Sequence, residues 1–463
     1  MTHKLILKGI NQRQDMNKIR SILSTLTLLT TFLINAPAQG AKTLDTHIID
    51  ASTGKAIPDA TVTINGHVLP PDSGAHYAVQ ADAISIMARA PGYKAATFPI
   101  ADVSKHNGNL ELTPFTVKAL YLSEYGIASA SIRDAARNII QHGGANALVI
   151  NIKSDHGQLV YPSEIALAKA VGARKLTTIH SLRDLVNIGH GQGIYMIARI
   201  VTFKDDPLST GRPDLAIHLA NGALFKDREH LGWADPTQPE VRAYNIAIGV
   251  EAAQAGFDEV QYDYVRFPDA ATKMQFHGPT DEASRVATIT GFVRDAHAAL
   301  APYNVFHSVD IFGYVSWNTN DTGIGQKLDQ IMQNVDYACP MLYPSGFKFG
   351  IPGHPNPMAT TNDIYNIIKL TLDNSNKRIG GNPKKFRPWL QAFRDYAFSK
   401  LVYGPAEVAA QTRAAADAGS SGWQLWNPHN RYTDIGLIQD KSAATTSFHH
   451  EPSATERSAS SPQ

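Results

Sequence analysis

Two acidic residues stand where strand-like runs end. Asp263 lies in Phe257-Asp258-Glu259-Val260-Gln261-Tyr262-Asp263-Tyr264-Val265-Arg266-Phe267-Pro268. That aromatic and β-branched run follows Gly256 and stops at a proline, which cannot donate to a ladder. Asp310 lies in Ser308-Val309-Asp310-Ile311-Phe312-Gly313-Tyr314. Two carboxyl groups across a substrate-sized gap suit glycosidic cleavage: one protonates the leaving oxygen, and the other attacks as nucleophile or activates water. Their proximity raises one pKa, so that one acid stays protonated and the other ionised. The bland alternative for Asp310 is a pairing with a basic neighbour, or a loop cap.

Strand alternation sorts the charges of the first run. Glu259, Gln261, Asp263 and Val265 share one face, and Val260, Tyr262 and Tyr264 the other. The bulky second set is expected to pack outward. Asp263 then points inward at the mouth, while Glu259 lies deeper as a structural carboxylate with Arg199 as its candidate partner. Simple alternation turns Arg266 away from Asp263, unless a bulge before Pro268 brings it back. Other strand ends supply candidate substrate-binding groups: Asp155, Arg199, Arg266, Tyr343, Gln391, Trp426 and Asn427. Sugar sites pair aromatic faces with planar amides and carboxylates; Trp317 and Trp423 are further aromatic candidates.

The elements that must position these groups alternate along the chain. Apolar runs at Val117–Leu122, Ala147–Ile152, Gly193–Val201, Asp258–Val265, Val305–Phe312, Val335–Leu342, Arg387–Phe393 and Gly422–Trp426 read as eight strands. Helical patterns at Ala128–Gln141, Ser181–Gly189, Gln238–Ala255, Asp281–Ala301, Asn362–Leu372 and Pro405–Ala418 fall between them. This is the count of an α/β fold of the (β/α)8 TIM-barrel type, in which functional groups come from strand C-termini. A doubly wound sheet is the rival, but neither of the first two strands is followed by G-x-G-x-x-G. Residues 44–113 differ: short alternating runs at Ile48–Asp50, Ala60–Ile64, His76–Val79 and Ile84–Ala88 are separated by turn residues, which predicts a small all-β sandwich.

Two resemblances attach to these segments. Asp50–Ile64, with Gly54 and Ile57-Pro58-Asp59-Ala60-Thr61-Val62, and then Ala90-Pro91-Gly92-Tyr93, resembles the carboxypeptidase regulatory-like domain. That implies a transthyretin-like module acting as a non-catalytic spacer or adhesion element. Over residues 115–438, the blocks Phe257–Asp269, Gly193–Asp205, Leu231–Ile248, Val309–Trp317, Val335–Phe347, Arg387–Phe393 and Gly422–Thr433 resemble a bacterial family of glycosyl hydrolases. It is a domain of unassigned function placed near the α-amylase-type barrels. The resemblance implies a nucleophile at the end of the fourth strand, hence Asp263. Amylase-type barrels take their acid from a glutamate on the fifth strand, where this chain offers Asp310. The resemblance also implies an acid after Arg387-Pro388-Trp389-Leu390-Gln391, where this chain has Ala392.

Composition narrows the partners. A net charge of +1 over 463 residues creates no field for nucleic acid, and Arg174-Lys175 and Lys384-Lys385 are too sparse for such a surface. One cysteine, Cys339, excludes a disulfide framework and is expected to be buried. No cofactor motif occurs: no P-loop, no H-E-x-x-H and no G-x-S-x-G. Lys18, Arg20, the apolar Ile22–Ile34 and Ala36-Pro37-Ala38 have the layout of a secretory signal with cleavage near residue 38, which leaves Met16 as well as Met1 as a start.

The expected organisation is an extension and signal over 1–43, the sandwich over 44–113, the barrel over 115–440 and a disordered tail over 441–463. The expected activity is an exported, secreted or periplasmic glycoside hydrolase acting on a polysaccharide, with Asp263 and Asp310 catalytic and neither cofactor nor metal. No obligate protein partner is expected, and association with the envelope is left open. The alternatives are a carbohydrate-binding barrel without turnover and a metal-dependent deacetylase using His307, His354 or His429.

Overall fold

The computed structural model describes residues 43–438, apart from 71, 73–75, 81–82, 270–272, 355–359 and 399. The expected signal and tail lie outside the described residues. Eight parallel strands close into a barrel in chain order: β1 (Val117–Leu122), β2 (Ala147–Lys153), β3 (Tyr195–Val201), β4 (Glu259–Asp263), β5 (Phe306–Phe312), β6 (Tyr337–Met341), β7 (Trp389–Gln391) and β8 (Gly422–Trp426). Seven fall inside the predicted runs, and β2 passes the end of its run by one residue, Lys153. Both faces are buried, as a parallel sheet covered by helices requires. On β2, Ala147 and Val149 fill the barrel interior, whereas Leu148, Ile150 and Ile152 pack outward.

Local chemistry sets the helix limits. Pro239 opens the helix Pro239–Ala255, which ends at Gly256 with φ of 100°. The helix predicted to stop at Leu372 runs on to Ile379, because Gly380 (φ 59°) is where the chain first turns left-handed. Closure between β8 and β1 depends on Gly422: a Cβ there would stand 1.8 Å from the Val117 carbonyl oxygen.

The interior is layered. At its floor Glu259 is ion-paired with Arg387, accepts from the Tyr195 hydroxyl at 3.0 Å, and the guanidinium lies 3.9 Å from the Tyr337 ring. This corrects the expected Arg199 partner for Glu259. Arg199 is in register with Gln261, one layer higher, and its side chain reaches Asp263 instead. In the middle layer, Gln261 donates to Gln424 at 3.0 Å and to Cys339 Sγ at 3.3 Å, and the cysteine is fully buried.

Among the described residues, the N-terminal module shows seven strands in two sheets. Thr43–Asp50 lies between His76–Gln80 and Asn109–Leu112; the second sheet runs His67–Leu69, Thr61–Ile64, Ser85–Arg89, Ala96–Pro99. Three of these (67–69, 96–99, 109–112) and the short helix Ile100–Lys105 were not among the predicted runs. The module docks under the barrel. Arg89 Nε donates to Asp336 Oδ2 at 3.2 Å, Gly92 N to the Tyr337 hydroxyl at 3.0 Å, and Asn382 Nδ2 to Asp59 Oδ2 at 2.9 Å. Asp336 directly precedes β6 and Tyr337 begins it, so the contact is on the face opposite the strand C-termini.

The floor pair yields a stability prediction. Arg387→Met leaves Glu259 buried without its cation and should lower unfolding free energy by about 3–5 kcal/mol. Adding Glu259→Gln should recover much of that loss in urea denaturation; equal stability of Arg387→Met and the parent chain would show that the pair is not what holds the floor.

Candidate active site

Asp263 closes β4 at the top of the barrel. Its Oδ2 accepts Nε and Nη2 of Arg199 at 3.1 and 2.5 Å, and its Oδ1 accepts the Tyr264 amide at 2.6 Å. The same guanidinium donates Nη1 to Asn151 Oδ1 at 2.6 Å and Nη2 to Asp155 Oδ1 at 3.1 Å. It lies 5.0 Å from the Trp426 ring and 5.7 Å from Tyr121, which stack on each other at 3.9 Å. Burial works against the Arg199 charge, but Asp155 and Asp263 more than restore it, so its pKa stands above the ordinary value.

The chain kinks immediately after Asp263. Tyr264 has φ of 52°, a left-handed conformation that costs an aromatic residue energy. The amides of Thr202 and Phe203 hold the carbonyls of Asp263 and Tyr264 at 2.9 and 3.4 Å. Val265 and Phe267 therefore enter the outer core, and Arg266 is brought back over the barrel mouth. The kink, not regular alternation, decides where Arg266 points.

These groups line a cleft of about 860 Å3 at the strand C-termini. Of the predicted residues, Asp155, Arg199, Asp263, Arg266, Tyr343 and Trp426 meet there. Three others do not line it. Asp310 is 1% exposed, beneath the cleft floor. Trp389 Nε1 donates to its Oδ1 at 2.8 Å, while its Oδ2 has no hydrogen-bond partner among the described residues. Burial and then the charge of Asp263 push its pKa well above the carboxylate range, with Arg199 and the Trp389 bond opposing. Asp310 therefore keeps its proton, while Asp263 is clamped to a cation.

Gln391 is fully buried, and its amide joins Ser345 N at 3.1 Å, Ser345 Oγ at 2.7 Å and the Phe393 carbonyl at 3.2 Å. Asn427 joins the Ala392 carbonyl at 2.5 Å and the His429 amide at 2.8 Å. Both hold loops rather than present an amide to the cleft, since their polar atoms are drawn into neighbouring backbone. Ala392 is itself buried.

Sequence reasoning missed much of the wall. Lys204, Phe225, Asp227, Glu229 and Trp233 come from the connection between β3 and Pro239, and Phe312 and Tyr314 from the end of β5. The signal was the length of the 202–238 connection, as long loops on barrels usually serve a site. A shallower hollow adjoins the cleft through the shared Tyr314, lined also by Trp317, Phe349 and Gly350–Gly353. The sequence Gly350-Ile351-Pro352-Gly353 supplies its rim. Trp423 is core, and Lys153 is buried against Asp205 at 2.7 Å.

The histidines of the deacetylase alternative do not assemble. His307 is fully buried on the outward side of β5 against His297 and Tyr262, and burial lowers its pKa to about 3. His354 lies in the loop after β6 and His429 in the loop after β8. Among the described residues, the grouping of three side chains close enough to share an ion is Asp45, His47 and His76, in the N-terminal module.

Residues 119–432 match the family described as "Putative glycosyl hydrolase domain". No curated protein matches the chain. Among solved structures, a hypothetical protein from Ruminiclostridium thermocellum is 30% identical over 41% of this chain and 96% of its own (TM-score 0.36). The PgaB (BpsB) glycoside hydrolase domain from Bordetella bronchiseptica is 13% identical over 68% of this chain and 95% of its own (TM-score 0.49). A class V chitinase from Pseudomonas fluorescens is 14% identical over 70% and 96% (TM-score 0.41).

The buried, protonated Asp310 has a pH signature. In the unfolded chain it releases its proton near pH ~3.9, whereas in the fold it retains it. Its contribution therefore falls as pH rises above that value. Asp310→Asn, neutral at every pH, should be more stable than the parent chain at pH 7, with the gap closing below about pH 4. A gap in melting temperature that widens on acidification would contradict a protonated Asp310.

Proposed function

The chain belongs to the family described as "Putative glycosyl hydrolase domain", and we propose that it is an exported hydrolase that cleaves glycosidic bonds of a polysaccharide in the cleft above β4. The observation that carries this reading is the contrast between two neighbouring acids. Asp263 lines the cleft and is held against Arg199, and Asp310 lies beneath it and is kept neutral. Glycosidic cleavage needs an ionised and a protonated carboxyl together. Asp263 acts as the nucleophile, or as the base for water. Asp310 supplies the proton from below through the Tyr343 hydroxyl. That side chain lines the cleft, and its pKa is raised first by burial and also by the charge of Asp263. Tyr343 gives its proton to the leaving oxygen and takes one from Asp310; the attacking water later restores it. Trp426, on the stacked Tyr121, offers a flat face to a sugar ring.

Export rests on the basic, apolar and small-residue succession at residues 18–38. The N-terminal module, docked on the opposite face, leaves the cleft open and serves as a spacer. A second reading, a glycan-binding barrel without turnover, draws support from the buried Ala392 where the family resemblance implies an acid.

Asp263→Asn should keep the fold and lower kcat by about a thousandfold or more on a cleaved glycan. Glycan binding with no cleavage by the parent chain would favour the second reading. Tyr343→Phe should lower kcat by about 10²–10⁴-fold on natural glycans, but much less on dinitrophenyl glycosides, whose leaving group needs no proton. An equal loss on both substrates would remove the proton route.

A further inference from the structure

Arg266 is held among rings, not carboxylates. Its guanidinium lies 4.9 Å from Trp233, 5.1 Å from Phe312 and 5.2 Å from Tyr264. Of its five N–H donors, one is seen bonded internally, from Nη1 to the Phe267 carbonyl at 3.0 Å. Three of the neighbouring cleft cations are neutralised: Arg199 by Asp155 and Asp263, Lys204 by Asp227 and Glu229, Lys226 by Asp206. Arg228 also lines the cleft, but among the described residues it lacks the ring enclosure of Arg266. No carboxylate among the described residues makes an ion pair with Arg266. Asp263, Asp269 and Asp227 act on it only through space, and burial outweighs them, drawing its pKa below the ordinary value.

A guanidinium packed between rings loses hydration that only an anion fully replaces. Tyr264 is held in a left-handed conformation, and that kink is what brings this charge to the cleft beside Asp263. The open donors form a planar fork that fits a carboxylate in two parallel hydrogen bonds. We propose that the cleft takes an acidic glycan, with the carboxylate of a uronic acid unit seated on Arg266 next to the bond positioned at Asp263. This rests on the glycosidase reading for the identity of the ligand as a glycan, and it adds the substrate class.

The test uses the Asp263→Asn chain, which binds without turnover, titrated calorimetrically with oligomers of polygalacturonate and of alginate. Each is compared with its own carboxyl-reduced, neutral form. Carboxyl reduction should weaken binding of at least one polymer tenfold or more. Arg266→Gln in the same background should abolish that discrimination, and Arg266→Lys, which keeps the stem and charge, should retain part of it. Equal affinity for acidic and reduced forms, no binding of either acidic polymer, or discrimination that survives Arg266→Gln in a folded chain overturns the proposal. Cleavage of neutral glycans with no charge preference would sink this inference and leave the glycosidase reading standing. Selective binding of uronates without cleavage by the parent chain would do the reverse.

Discussion

The arrangement at the barrel mouth depends on one guanidinium. Arg199 reaches from β3 across the top of the barrel and joins Asp263 on β4, Asn151 on β2 and Asp155 beyond it. A charge so deeply buried persists only with ionised partners and satisfied donors. Arg199 therefore places Asp263, while the rings of Trp426 and Tyr121 hold the plane of the guanidinium. Once Asp263 carries the charge, Asp310 below it cannot share one, and its burial leaves it neutral. Burial of one acid and a cation on the other thus set the two apart.

Polar groups recur at each level of the barrel axis, and each is matched. Glu259 with Arg387 forms the floor, Gln261 with Gln424 the middle, and Asp263 with Arg199 the mouth. The deeper charged and amide groups are paired inside the protein, and Arg266 at the mouth keeps donors open towards the cleft. The two faces of the barrel differ accordingly. The N-terminal face is occupied by the β module through Arg89, Gly92 and Asp59, and the C-terminal face carries the cleft. That division matches the general separation of stability and chemistry in parallel barrels.

What the sequence determined by itself was the periodic part. Eight apolar runs, helices started by prolines at 239 and 405, and alternation along β4 follow from local geometry that repeats every two or 3.6 residues. The inward set Glu259, Gln261 and Asp263, and hence the catalytic candidate, was legible for that reason. Six of the nine predicted site residues reach the cleft, as the strand C-termini and the loops after them form its floor and walls. Tertiary structure alone decided the rest. Gln391 and Asn427 are of sugar-binding type, yet neighbouring loops take up their amides. The long connection after β3 brings Trp233 and Lys204 to the wall without any periodic signal. Arg199 pairs with Asp263 and not Glu259 because register places it one layer up. Arg266 enters the cleft because Tyr264 leaves the β region. Pairing, register and strain are set by groups distant in sequence, so no local pattern encodes them.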